Sequence, residues 1–256
     1  MAFNELLDDL DPSAGVQAAG IRRGYGGPPA RTVGVRSGLA RLRCASLLKP
    51  LYAWVSAAHM PDADLWRRHA EPAVVISSNS DTLNLWLAIG PGVILEDIRR
   101  RTGVAWSPPN GDPSRFGSVE VAADEVATAY AAFAQSAVAG DPVAATVLEW
   151  MRQVGREQAF GIREAIGVAD ARIKSGWFGA PEETCLRTHA VALLPLGGTR
   201  VTVIVGMTAL PYTDARERAI YRERVAKGLS VEQTHEKLAG TLLRGLMTTT
   251  LTELGG

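Results

Sequence analysis

Ser46 and Lys49 place a hydroxyl and an amine three positions apart at the start of a predicted helix. Side chains at this spacing lie on the same face of a helix, so the two groups can meet. A lysine kept neutral by burial or by neighbouring cations can accept the serine proton and make the hydroxyl a nucleophile. Taken alone the spacing is weak evidence, because a capping serine beside a solvated lysine gives the same pattern.

Two further polar motifs follow in the chain. The first is Ser77-Ser78-Asn79-Ser80, between the apolar run 73–76 and a predicted helix that contains Asn84-Leu85-Trp86-Leu87. The second is Lys174-Ser175-Gly176, on the first predicted strand after a long helical region. The three motifs in this order are much more specific than any one of them.

Through these motifs the sequence resembles the penicillin-recognising serine hydrolases, the superfamily of class A β-lactamases and low-molecular-weight D,D-peptidases. The signature of that superfamily is Ser-x-x-Lys, then Ser-x-Asn, then Lys-Thr-Gly or Lys-Ser-Gly. The resemblance covers nearly the whole chain, from the predicted hairpin before Ser46 to the strand that ends near Leu210. It implies an acyl-enzyme formed on an amide, ester or lactam carbonyl.

The resemblance also implies roles for individual residues. Ser46 would be the nucleophile, Lys49 its proton acceptor, and Lys174 the cation that holds the second-motif serine and a substrate carboxylate. The backbone amides of Ser46 and Trp177 would form the oxyanion hole. The residues expected to contact substrate are Ser80, Ser175, Gly176 and Arg187. For Arg187, a solvated position at the rim is the competing interpretation.

The second motif can be aligned in two ways. With Ser77 as its serine, Asn79 is retained as the motif asparagine, but Asn84 falls one place late for the start of the next helix. With Ser78, Asn84 is in register and Ser80 replaces the asparagine that would bind a substrate amide. We favour Ser78 as the serine that passes a proton to the leaving group.

The segment 106–118 departs from the class A pattern. Class A β-lactamases carry there a loop whose glutamate activates the deacylating water, whereas this segment has no glutamate and Asp112 is its only acid. Beside Gly111 and Pro113, Asp112 is expected to be a turn residue. The short interval from Ser46 to Ser78 further suggests that some helices of the family are missing and that the site is unusually open.

Composition excludes several classes of function. Among the 256 residues, 27 basic and 27 acidic side chains cancel, so the chain lacks the charge of a general nucleic-acid binder. Cys44 and Cys185 are expected to be buried thiols. His235 lacks the second histidine of a helical zinc motif, so neither metal nor cofactor is expected. An acidic start and the lack of an apolar run of about 18 residues predict a cytoplasmic protein with no membrane partner.

The apolar pattern predicts an α+β fold, and the resemblance implies that this fold is of the β-lactamase type. Strands are expected over 15–23, 31–43, 170–178, 188–196 and 200–210, with turns at Gly24–Pro29 and Gly197-Gly198. The segment 46–166 is predicted to be a helical lobe inserted into an α/β lobe made of 1–45 and 167–256. A helix over 214–251, in two pieces, would complete that lobe, and the cleft between the lobes would hold the site.

The expected function is that of a β-lactamase-like serine hydrolase or acyltransferase acting on a small-molecule acyl substrate. Two alternatives remain. One is a D,D-peptidase or penicillin-binding protein, and the other is a non-catalytic protein of the same fold that binds an acyl ligand. The oligomeric state is not predicted.

Overall fold

The strands of the protein form one five-stranded sheet and one short pair. The computed structural model describes residues 2–8, 10–24, 29–179, 185–195, 200–212, 223, 226 and 231–255. The strands are β1 (Gly15–Gly24), β2 (Pro29–Ser37), β3 (Leu42–Arg43), β4 (Glu120–Val121), β5 (Arg172–Phe178), β6 (Cys185–Leu193) and β7 (Arg200–Pro211). The large sheet is antiparallel, with strand order β2-β1-β7-β6-β5, and β3 pairs with β4.

The helices lie mainly between β3 and β5 in the sequence. They are α1 (Phe3–Leu7), α2 (Lys49–Ser56), α3 (Ala63–Val75), α4 (Asn79–Ile89), α5 (Pro91–Thr102), α6 (Ala123–Val138), α7 (Pro142–Arg152), α8 (Ile162–Ile166) and α9 (Val231–Glu253). Asp141 caps α7 by accepting hydrogen bonds from the amides of Val143 and Ala144, as the Asp-Pro pair predicts.

Alternating side chains of the central strand β7 pack against helices on opposite faces of the sheet. Val203 and Val205 belong to the same buried cluster as Tyr130 of α6. Ile204, between them, packs with Leu243 of α9 in a second cluster. Because successive strand residues point to opposite faces, one sheet buries apolar side chains against both helices.

The predicted α+β fold is confirmed, with an antiparallel sheet, terminal helices and a helical region between distant strands. The division into lobes at residues 45 and 167 stays a prediction. Residues 25–28 and 197–198, where two turns are predicted, lie outside the described residues. In the described part of the chain no helix has the length and apolar character needed to cross a bilayer. Both cysteines are free thiols, and Cys185 is only half-buried.

The strand predicted over 31–43 is wrong, because the chain breaks at Gly38 into β2 and β3, which belong to different sheets. Gly38 has a φ of +70°, and a Cβ at this position would lie 2.1 Å from the Ala14 carbonyl oxygen. Only glycine fits this backbone crossing. The break turns β3 away from the large sheet and toward β4.

Substitution of Gly38 tests this constraint against a matched position. Gly103 has a similar φ of +77°, but the space that a methyl group would occupy there is open. Gly103→Ala should therefore cost about 1–2 kcal/mol, the usual penalty of a left-handed residue with a side chain. Gly38→Ala should lower the free energy of unfolding in urea clearly more, because backbone must also move. Equal losses in the two variants would contradict the steric argument.

Candidate active site

Ser46 lies in a turn between β3 and α2 that is held by backbone hydrogen bonds. The amides of Cys44 and Ala45 donate to the carbonyls of Val119 and Gly117, at 2.9 and 2.8 Å. Ala45 has a φ of +49°, which is uncommon for a residue with a side chain. Such backbone strain persists only where surrounding structure enforces it. The turn that carries Ser46 is therefore tightly constrained.

Strand β5 passes directly beside this turn at Gly176. A Cβ on Gly176 would lie 2.8 Å from the backbone nitrogens of Ser46 and Leu47 and 2.9 Å from the Cys44 carbonyl oxygen. Only glycine lets the strand come so close. This approach brings the next residue, Trp177, onto the wall of the cavity that Ser46 also lines.

The cavity has a volume of about 420 Å³. The described residues that line it are Arg43, Ala45, Ser46, Ser77, Asn79, Arg115, Phe116, Gly117, Ser118, Trp177, Phe178 and Arg187. The lining thus combines two of the predicted motifs, residues next to the third, and three arginines.

Lys49 is fully buried behind this cavity. Its amine donates hydrogen bonds to the Ser77 carbonyl at 2.6 Å and to Asn79 Oδ1 at 2.7 Å, and lies 3.3 Å from Ser77 Oγ. The ring of Phe116 covers it, with the centroid 5.2 Å from Nζ. Burial lowers the pKa of Lys49 to about 7. The amine can therefore be neutral near neutral pH, as a proton acceptor must be.

Lys174 approaches the same hydroxyl from the sheet. Its amine is fully buried and lies 2.8 Å from Ser77 Oγ. The pKa of Lys174 is lowered well below its ordinary value, first by burial and then by the charge of Lys49. Two lysines from distant parts of the chain thus meet at one serine hydroxyl.

The geometry favours Ser77 over Ser78, the serine preferred from the sequence, because the Ser77 hydroxyl and not the Ser78 hydroxyl contacts both lysine amines. Ser78 caps α4, accepting from the Asp81 amide and donating to the Asp81 carboxylate. Ser77 lies just outside the helix, with a φ of +56°. Asn79 is then the motif asparagine, and the exposed Ser80, predicted to bind substrate, contacts Ser78 instead of lining the cavity.

Ser46 and Lys49 are less directly coupled than the helical spacing predicts. Ser46 Oγ makes no hydrogen bond to Lys49 Nζ within the described residues, since the amine is engaged by Ser77 and Asn79. Helix α2 begins only at Lys49, so Ser46 stands in the preceding turn and not on the helix face. Ser77, which lines the cavity with Ser46 and contacts both lysines, is the residue that connects the motifs.

The other residues predicted to contact substrate differ in whether they line the cavity. Arg187 lines the cavity, with its guanidinium 5.9 Å from the centroid of the Phe178 ring. Ser175 does not line it, and its hydroxyl is buried without a hydrogen-bond partner among the described residues. The sequence reasoning missed Phe116, Arg115 and Arg43. No local motif marks these three residues, because only the folded chain brings them to the cavity.

Comparison with known proteins finds similarity in structure and not in sequence. No family model matches the chain, and no curated protein matches its sequence. Among solved structures, the TLA-3 extended-spectrum β-lactamase aligns with a TM-score of 0.67 at 9% identity, over 99% of this chain and 97% of that one. A β-lactamase from Burkholderia vietnamiensis aligns with a TM-score of 0.63 at 16% identity, over 98% of this chain and 94% of that one. PBP-A aligns with a TM-score of 0.63 at 14% identity, over 100% of this chain and 97% of that one.

The chain has the class A β-lactamase fold. The resemblance to the penicillin-recognising serine hydrolases that the motifs predict is thereby confirmed at the level of the fold. At 9–16% identity these alignments show the fold alone.

Within this β-lactamase fold, Asp112 is placed as a turn residue. Its carboxylate accepts hydrogen bonds from the amide and hydroxyl of Ser114 and lies 3.5 Å from Arg115. These contacts hold the pKa of Asp112 below its usual range. It does not line the cavity, and no carboxylate occurs on the wall among the residues that the structure describes.

Alanine substitutions at the two neighbouring serines of the second motif distinguish their roles. Ser77→Ala removes the hydroxyl shared by both lysines and should lower the acylation rate by about a hundred- to ten-thousand-fold, the usual effect of losing a proton-transfer group. Ser78→Ala removes a helix cap and should cost about 1 kcal/mol of stability with little change in that rate. Acylation by penicillin or an activated ester, together with thermal melts, measures both. A larger rate loss in Ser78→Ala would restore the other register.

Proposed function

We propose that this protein is an active-site serine hydrolase or acyltransferase that forms an acyl-enzyme at Ser46. The observation that carries the proposal is the Ser77 hydroxyl held between the Lys49 and Lys174 amines, at 3.3 and 2.8 Å, on the cavity that Ser46 lines. Two buried amines and two hydroxyls at one cleft are the groups that acyl transfer needs.

The acylation step can be written with these groups alone. When bound substrate brings the Ser46 hydroxyl within reach of Lys49, the neutral amine accepts the Ser46 proton while Ser46 Oγ attacks the substrate carbonyl carbon. The amides of Ser46 and Trp177 stabilise the negative charge that develops on the carbonyl oxygen. As the tetrahedral intermediate collapses, Ser77 donates its proton to the leaving group and receives one from Lys49. The step ends with an ester at Ser46 and a neutral Lys49.

The charges on the cavity wall favour an anionic substrate. Arg43, Arg115 and Arg187 contribute guanidinium groups, although the chain as a whole has no net charge. A carboxylate on the substrate would be attracted locally and oriented by bidentate hydrogen bonds. The cavity volume of about 420 Å³ suits a small molecule.

Hydrolysis of the acyl-enzyme is the step for which the described wall offers no base. Deacylation requires a water molecule that is held and deprotonated beside the ester. The Asp112 carboxylate instead accepts hydrogen bonds from Ser114 within its turn. This observation favours a long-lived acyl-enzyme, as in a penicillin-binding protein, or transfer of the acyl group to a better nucleophile than water.

The acylation rate should rise with pH through about 7 and level off above it. Only the unprotonated amine of Lys49 accepts a proton, and burial places the pKa of Lys49 at about 7. Stopped-flow acylation across the pH range measures this profile. Lys49→Arg keeps a cation but loses the base, so its rate should fall by about a hundred-fold or more. A wild-type profile that rises only near the roughly 10.4 of a free lysine would show that Lys49 is not the base.

A penicillin or an activated acyl ester should leave a persistent adduct on the protein. Intact-protein mass spectrometry should show the added acyl mass on the wild type and none on Ser46→Ala. Asp112→Asn should leave the adduct lifetime unchanged, because Asp112 holds a turn. Rapid turnover by the wild type would mean that another group activates water. A wild type that is not acylated by either class of probe would favour a non-catalytic ligand-binding protein.

A further inference from the structure

His189 is a buried residue on β6 that the acylation mechanism does not use. It is fully inaccessible to solvent, and it lies opposite Gly176 of β5 and Met207 of β7 in the sheet register. Directly opposed residues of antiparallel strands project to the same face of a sheet. His189 therefore lies on the face from which Gly176 contacts the turn that carries Ser46.

The two ring nitrogens of His189 have different partners. Nε2 lies 3.0 Å from the Arg43 carbonyl oxygen, and Nδ1 lies 3.2 Å from the Thr208 backbone nitrogen. A carbonyl can only accept and an amide N–H can only donate, so Nε2 carries the proton and Nδ1 accepts. Burial lowers the pKa of His189 to about 4, which keeps the ring neutral and this tautomer intact at neutral pH.

The bond to Arg43 joins the large sheet to the strand that leads into the nucleophile. Arg43 ends β3, and Cys44, Ala45 and Ser46 follow it directly. On its other side this segment is held by Val119 and Gly117, which accept from the Cys44 and Ala45 amides. The segment is thus fixed from both sides, and the strained φ of +49° at Ala45 requires such restraint.

We propose that His189 is a positioning residue that fixes Ser46 against β5 through its hydrogen bond to the Arg43 carbonyl. This inference rests on the proposed acyl-transfer function of Ser46. The effect reaches the reacting atoms through the backbone, because His189 does not line the cavity. Loss of the bond frees the Arg43 carbonyl, relaxes the turn and moves Ser46 out of line with the oxyanion amides.

Substitutions of His189 by glutamine and by asparagine distinguish the two hydrogen bonds that the imidazole ring makes. The Gln amide nitrogen lies as many bonds from Cα as Nε2 does, so His189→Gln can still donate to the Arg43 carbonyl. The Asn carbonyl oxygen lies as many bonds from Cα as Nδ1 does, so His189→Asn can still accept from the Thr208 amide. The variants therefore form a matched pair in which both bury an amide and only one keeps the bond to Arg43.

The acylation rate of the full chain should distinguish the variants. His189→Asn should lose about a hundred-fold in the rate of acylation by a penicillin or activated ester, as misplacement of a reacting group by about 1 Å does. The affinity for the probe before acylation should change little. His189→Gln should recover most of that loss at a similar melting temperature. Equal losses in both variants, or no loss in His189→Asn, would overturn the proposal.

Hydrogen exchange gives a readout that does not depend on activity. The Cys44 and Ala45 amides should exchange faster in His189→Asn than in His189→Gln or the wild type, because the turn is no longer anchored at Arg43. If the wild type forms no adduct, the proposed acyl-transfer function fails and exchange alone decides whether His189 restrains the turn. Unchanged exchange in His189→Asn would overturn that restraint as well.

Discussion

The burial of two lysine amines at one serine hydroxyl is the constraint on which the rest of the site depends. No ion pair with a carboxylate is found for Lys49 or Lys174 within the described part of the chain, so burial disfavours their charged forms and lowers both pKa values. Between pH 7 and 10.5 the folded chain holds fewer protons on Lys49 than the unfolded chain, and stability falls as the pH is lowered through that range. The same burial that destabilises the fold supplies a neutral amine near pH 7.

The fold meets this constraint by joining elements that are remote in sequence. Lys49 begins α2, Ser77 precedes α4 and Lys174 lies on β5, so the three groups meet only when the sheet packs against the helices. Gly176 permits the close approach of β5 to the Ser46 turn, because a side chain there would strike backbone atoms. The site is therefore built on the contact between strand β5 and the start of α2, and a shift of either element would separate the motifs.

The polar groups at the cavity suit the formation of the proposed acyl-enzyme better than its hydrolysis. The cavity presents hydroxyls and arginines, and two amines are buried behind it; these groups suit attack on the carbonyl of an anionic substrate in the proposed function. Among the described residues of the wall there is no carboxylate that could deprotonate a water molecule, and the Asp112 carboxylate accepts a hydrogen bond within its own turn. In the proposed cycle, formation of the acyl-enzyme and its hydrolysis need different groups, and the described wall offers groups for the first step only.

Local patterns in the sequence were sufficient to predict the fold class and most of the helices and strands. The order of strands and helices and the Asp141 cap follow from short-range periodicity and capping chemistry, which act between neighbours in the chain. The choice between Ser77 and Ser78 does not follow from local patterns, because both residues directly precede the same helix. The folded structure shows that Ser78 caps this helix and that the Ser77 hydroxyl contacts Lys174. The break at Gly38 and the role of His189 depend on the carbonyls of Ala14 and Arg43, which reach them only across the folded structure. The sequence by itself thus determined which residue types and local elements are present, whereas the tertiary structure decided which hydroxyl meets the amines, because hydrogen bonds between distant strands and helices leave no local pattern.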